Sequence, residues 1–122
     1  MTQDRDYPKN LKLLDYDVSK EECNVKSVEI AWNCFSGLDM WFYNAGAYEI
    51  MGLEEWDKDK FIKMNSVNYL GAVQIMIALL PYFKKQNHGR WIWNLSLSSY
   101  FGLAKGGAYS APKAALLNLA QS

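Results

Sequence analysis

Histidine is almost missing from this chain. Its 122 residues hold one, His88, in the polar turn Lys84-Lys85-Gln86-Asn87-His88-Gly89. That excludes a histidine-centred metal site, and no metal ligand set is expected. There are two cysteines, Cys23 and Cys34, eleven residues apart on what reads as one helix. At ~1.5 Å rise per residue they stand ~16 Å apart, too far for a disulfide, which needs Cα atoms within ~7 Å. Reduced thiols and a cytoplasmic setting are the expectation. Neither sign of charge is in excess, with 13 basic and 13 acidic residues, so nothing points to nucleic acid. The longest apolar run, Leu70 to Leu80, is broken by Gln74 and covers 11 residues, against the ~20 needed to span a bilayer. No membrane segment is expected; such a stretch is instead buried in a core or against a partner. The opening Met1-Thr2-Gln3-Asp4-Arg5-Asp6 is too polar for a secretory signal. Repeats, low-complexity tracts and linkers are missing too, so residues 1–122 read as one domain.

Half of the residues are apolar, enough for a small globular core. Leu11 to Val18 reads as a short strand running into a turn. Ser19-Lys20-Glu21-Glu22 has the pattern of a capping box. Val25, Val28, Trp32 and Phe35 then recur at helical spacing until Gly37. Asp39 to Tyr43 is an apolar strand stopped by Asn44-Ala45-Gly46. A looser stretch from Tyr48 to Lys60 carries one helical turn at Leu53-Glu54-Glu55-Trp56. A long helix follows over 61–83, kinked or ended by Pro81. Trp91 to Ser96 forms the third strand, and a Ser/Gly-rich loop leads to a last helix over 109–122. The order β-α-β-α-β-α predicts an α/β fold with a parallel sheet covered on both faces. In such sheets ligands bind beyond the carboxyl ends of the strands. Those ends carry Asp17, Asn44-Ala45-Gly46 and Ser96, and Tyr109 opens the helix after the last one.

Tyr109 and Lys113 stand four residues apart, and Ser96 lies thirteen residues before the tyrosine. On a helix, positions i and i+4 share a face. A close cation favours a phenolate, so a phenol beside an ammonium can exchange a proton with a substrate oxygen. A nearby hydroxyl would hold that oxygen. Pro112, inside the motif, is tolerated in a helix's first turn and places the helix start near Tyr109.

Taken together these residues resemble the short-chain dehydrogenase/reductase family over nearly the whole chain. Asp17-Val18 is similar to the family's Asp-Val that meets the adenine of the cofactor. Tyr43-Asn44-Ala45-Gly46 resembles its Asn-Asn-Ala-Gly, with Tyr43 in place of the first asparagine. Asn68-Tyr69-Leu70-Gly71 resembles its Asn-x-x-Gly, whose asparagine holds a water in a proton relay. Tyr109 and Lys113 match its Tyr-x-x-x-Lys. The resemblance implies a partial Rossmann-like doubly wound sheet and NAD(P)-dependent hydride transfer at an alcohol or carbonyl of a small molecule. Asn68, Ser96, Tyr109 and Lys113 would be catalytic. Asp17, Val18, Asn44, Ala45, Gly46, Tyr109 and Lys113 would touch NAD or NADP. Ser98 and Ser99 rival Ser96, because Ser98-Ser99-Tyr100-Phe101-Gly102 also fits the family's Ser-Ser-x-x-Gly. Ser96 alone aligns without a gap between Gly89-Arg90 and Tyr109.

The family's phosphate-gripping Gly-x-x-x-Gly-x-Gly turn has no counterpart here. The chain begins just before what would be the family's third strand and stops inside the Tyr109 helix. Without the strands between, the segment Leu11–Tyr16 would lose its sheet neighbour. Trp41, Trp91 and Trp93 stand where the family carries small aliphatics. Two readings follow. One is a short-chain oxidoreductase seen in part. The other is a truncated, inactive relative that at most associates through the helices at 61–83 and 109–122.

Overall fold

The computed structural model describes residues 8–122, so the acidic N-terminal stretch lies outside them. Two strands, β1 (Met40–Tyr43) and β2 (Arg90–Trp93), pair in parallel. The register sets Met40 against Arg90 and Tyr43 against Trp93. Between them runs a crossover of α2 (Lys58–Asn65), a π-turn (Ser66–Leu70) and α3 (Gly71–Gln86). α1 (Glu21–Phe35) precedes β1, and α4 (Gly107–Gln121) follows β2.

The strand expected over Leu11–Val18 does not form; that segment has no regular structure. A strand exists only through a neighbour's hydrogen bonds, and among the described residues none pairs with it. The capping box is also replaced. Ser19 donates its amide (2.9 Å) and its hydroxyl (2.7 Å) to Asp17 Oδ1, and Lys20 becomes the N-cap without a side-chain bond. α2 starts earlier than expected because Asp57 accepts from the Lys60 amide at 2.9 Å. Pro81 does not end α3, which continues to Gln86. The carbonyl that Pro81 leaves without an amide belongs to Ile77, an exposed residue where water can serve instead. α4 begins two residues before Tyr109, so Pro112 sits beyond its first turn.

Val28 of α1, Tyr43 of β1, Ala72, Ile75, Leu79 and Phe83 along α3, and Leu116 of α4 form the main core. The α3 members recur at three- and four-residue steps, the spacing of one helix face. Trp41, Trp91 and Trp93 all pack half-buried against this core, with the Phe83 and Trp91 rings 5.1 Å apart. The three indoles are thus housed on one sheet face. Contrary to the expectation of a sheet covered on both sides, Met40, Phe42 and Ile92 on the other face are exposed. The continuous helical run Lys58–Gln86 is long and apolar enough to cross a membrane, but its stripe from Met64 to Phe83 is core.

Candidate active site

α4 brings Tyr109 and Lys113 to the carboxyl ends of the two strands. Lys113 is buried, and its Nζ donates to the backbone oxygen of Asn94 at 2.8 Å, one residue past β2. Burial pushes its ammonium below the ordinary lysine range. Among the described residues no carboxylate pairs with it. An ammonium has three donors, and one is engaged here. The Nζ lies 5.8 Å from the centre of the Tyr109 ring. That ring is half-buried and meets Tyr48 edge to face at 4.8 Å. The loop carrying Tyr48 is anchored where the Met51 amide bonds the Lys105 carbonyl at 2.9 Å.

Asn94 is the junction of the site. Its amide bonds the Tyr43 carbonyl at 3.1 Å. Its side-chain Nδ2 donates to Asn44 Oδ1 at 2.8 Å, and its carbonyl takes Lys113. Asn44 is thereby fixed to α4 through one residue. Ala45 leans on the core, while Gly46 is exposed. A Cβ on Gly46 would stand 3.3 Å from Asn68 Oδ1, so the close approach this glycine permits within the chain is to Asn68. Asn68 is fully buried and clamps Ala47 from both sides. Its Oδ1 accepts from the Ala47 amide at 3.1 Å and its Nδ2 donates to the Ala47 carbonyl at 2.7 Å.

Ser96 is half-buried and caps the short 3-10 turn Leu97–Ser99. Its Oγ accepts from the Ser98 amide (3.2 Å) and the Ser98 hydroxyl (3.0 Å). Both bonds are received, so the Ser96 O–H remains able to donate. Ser98 and Ser99 are buried behind it, and the Ser99 hydroxyl takes the Ser96 amide at 3.2 Å. No direct hydrogen bond joins Ser96 to Tyr109 among the described residues.

Asp17 is exposed, and the two bonds from Ser19 hold its carboxyl below the usual carboxylate range. Val18 is tied to α1 and α3, since Asn24 Nδ2 donates both to its carbonyl (2.8 Å) and to Gln74 Oε1 (2.7 Å). Asn94, Tyr48 and Gln74 were not singled out from sequence as site-building residues. Gln74 did carry a signal, as the one polar residue in the apolar run, and so did Asn94, a polar residue ending an apolar strand. Tyr48, in an irregular stretch, carried none.

Fold and site define an α/β chain of the Rossmann-like class. The family model described as short chain dehydrogenase matches residues 2–122. An uncharacterized oxidoreductase of Listeria monocytogenes is 32% identical over 103 residues, which cover 84% of this chain and 42% of that protein. The 3-dehydrosphinganine reductase of Danio rerio is 34% identical over 110 residues, 89% of this chain and 33% of that protein. Among solved structures, a short-chain dehydrogenase from Streptomyces avermitilis superposes with TM-score 0.88 at 24% identity, over 94% of this chain and 42% of the other. An alcohol dehydrogenase from the archaeon Thermococcus sibiricus, complexed with 5-hydroxy-NADP, gives 0.80 at 29% identity, over 87% and 45%. The chain belongs to the short-chain dehydrogenase family. It spans less than half the length of these relatives.

Proposed function

We propose that this chain carries the proton-transfer part of an NAD(P)-dependent oxidoreductase acting at an alcohol or carbonyl of a small molecule in the cytoplasm. The observation that carries the reading is Lys113. Among the described residues this buried ammonium has one partner, a backbone carbonyl, which leaves two donors for ligand oxygens. A nicotinamide ribose presents two hydroxyls, so the residues present fit that half of the cofactor. Asn44, fixed to the same Asn94, lies alongside, and Asp17 has a carboxylate oxygen without a partner among the described residues, which suits the adenine end. The diphosphate has no glycine-rich turn here.

When bound, the cofactor supplies or takes up the hydride. The chain's own residues move and hold the proton. In the reducing direction Tyr109 Oη gives its proton to the substrate oxygen, and in the oxidising direction it takes one. The Ser96 O–H donates to that same oxygen. Lys113 holds positive charge beside the phenol. Asn68 keeps one lone pair on Oδ1 for a relay water while its carboxamide fixes the loop. A second copy of the chain would pack on the apolar groove between α2 and α4, lined by Phe61, Ile62, Tyr69, Ala111, Pro112 and Ala115.

Fluorescence titration of the purified chain with NADH and with NADPH tests the reading. Saturable binding is expected for one of them. Lys113→Met should weaken it by about tenfold or more, the loss of hydrogen bonds worth ~1 kcal/mol each. No saturable binding by the unaltered chain would favour the inactive, association-only relative.

A further inference from the structure

We infer that Tyr43 is a positioning residue for the loop Asn44-Ala45-Gly46-Ala47, acting through the π-turn of the long helix. The inference rests on the proposed function only for what that loop would hold. Tyr43 replaces the asparagine of the resembling motif, and its side chain leaves the end of β1 to enter the core at 3% exposure. Its hydroxyl donates to the Val67 carbonyl at 2.5 Å. In regular α geometry that carbonyl would receive the Gly71 amide. Here the Gly71 amide reaches Ser66 instead, one residue further back. The phenol therefore bonds the carbonyl that the π-turn deprives of its α-helical donor, at a half-buried position where an unpaired carbonyl is costly.

The turn sets the rotational phase of what lies within it. Each residue in a helix advances the side chain by about 100°, so gaining one residue turns Asn68 toward a different neighbour. In the phase observed, Asn68 faces Ala47 and clamps both of its backbone polar groups. Gly71 makes room for this arrangement. A Cβ there would collide with the Tyr43 hydroxyl and stand 2.7 Å from the Val18 carbonyl. Tyr43 and Gly71 thus fit each other, and both ends of the loop are secured. Asn68 holds Ala47, and Asn94 holds Asn44 beside Lys113. A side chain shorter than tyrosine at 43 would not span from β1 to the turn.

Tyr43→Phe keeps the ring and removes the hydroxyl. Amide hydrogen exchange in the purified chain reads the effect at Ala47, with Val28 in α1 as the remote control. The expected result is exchange at Ala47 about tenfold faster in the variant, with Val28 within about twofold. Unchanged exchange at Ala47 would overturn the inference. So would equal acceleration at both sites, since that is general loosening of the core. Should Tyr43→Phe fail to fold, the unaltered chain decides by NMR. A slowly exchanging Tyr43 hydroxyl proton close to the Gly71 Hα supports the inference, and its absence refutes it. NADH and NADPH titration of the same samples separates the two claims. Failure of the unaltered chain to bind either nucleotide strikes the proposed function alone. Binding that Tyr43→Phe leaves undiminished, despite faster exchange at Ala47, would refute positioning of a ligand-holding loop.

Discussion

Lys113 sets burial against charge, and the consequence is a pH dependence of unusual sign. Desolvation lowers its folded-state value below the 10.5 it has in an unfolded chain. Below the folded value both states are protonated and the burial penalty is full. Between the two values the unfolded chain binds more protons, so this group's contribution to stability rises with pH. Lys113→Met removes the titration. Urea melts in steps from about pH 7 to about pH 10 should show the variant's advantage greatest at the low end and shrinking as pH climbs. Parallel curves would contradict the assignment. Tyr43 works in the opposite sense at the alkaline end. Burial, with Tyr16 nearby, holds its phenol protonated well above the usual range. Its contribution is intact below about 10 and is lost as pH rises beyond that.

At the scale of elements, α3 is the member on which the others depend. Leu79 is fully buried in the core shared by α1, β1 and α4. Leu79→Ala should destabilise the fold by about 2–5 kcal/mol, through lost burial plus the cavity left behind. Chemical denaturation followed by tryptophan fluorescence measures it. α1, α3 and both strands could be read from the sequence because their apolar spacing is strong and continuous. The positions of Asn44 at the end of β1 and of Tyr109 and Lys113 near the start of α4 follow the apolar spacing, whereas Asn68 lies mid-way along the helical run Lys58–Gln86, where only the motif marks it. The π-turn was hidden, since no residue type announces an i→i+5 bond. Tyr43 looked like a mere departure from a motif because its partner, Val67, is a backbone carbonyl 24 residues away. The expected first strand failed for a different reason. Leu11, Leu13 and Leu14 have strand-like composition, yet a strand also needs an edge to bond, and those side chains remain exposed.

For the whole molecule, the dominant fact is the uncovered sheet face. Phe42 is 57% exposed and Met40 46% exposed on a strand of only four residues. Apolar patches beside an unpaired strand edge favour association. The purified chain is therefore expected to self-associate, and where this sheet face is the contact Phe42→Lys shifts it toward monomer in sedimentation velocity. Ile62→Glu, in the groove between α2 and α4, separates the two surfaces. If the helical groove is the contact, Ile62→Glu dissociates the species and Phe42→Lys leaves it intact.

The parallel register also has an entropic side. Met40 pairs with Arg90, and Asn44 bonds Asn94, each pair separated by 50 residues of chain. Closing an interval of that length costs roughly 3.5 kcal/mol in chain entropy on the (3/2)RT ln n estimate. The sheet and the asparagine junction span the same interval, so a single closure serves both. The bond that fixes Asn44 beside Lys113 therefore forms with little further loss of chain freedom once the strands have met.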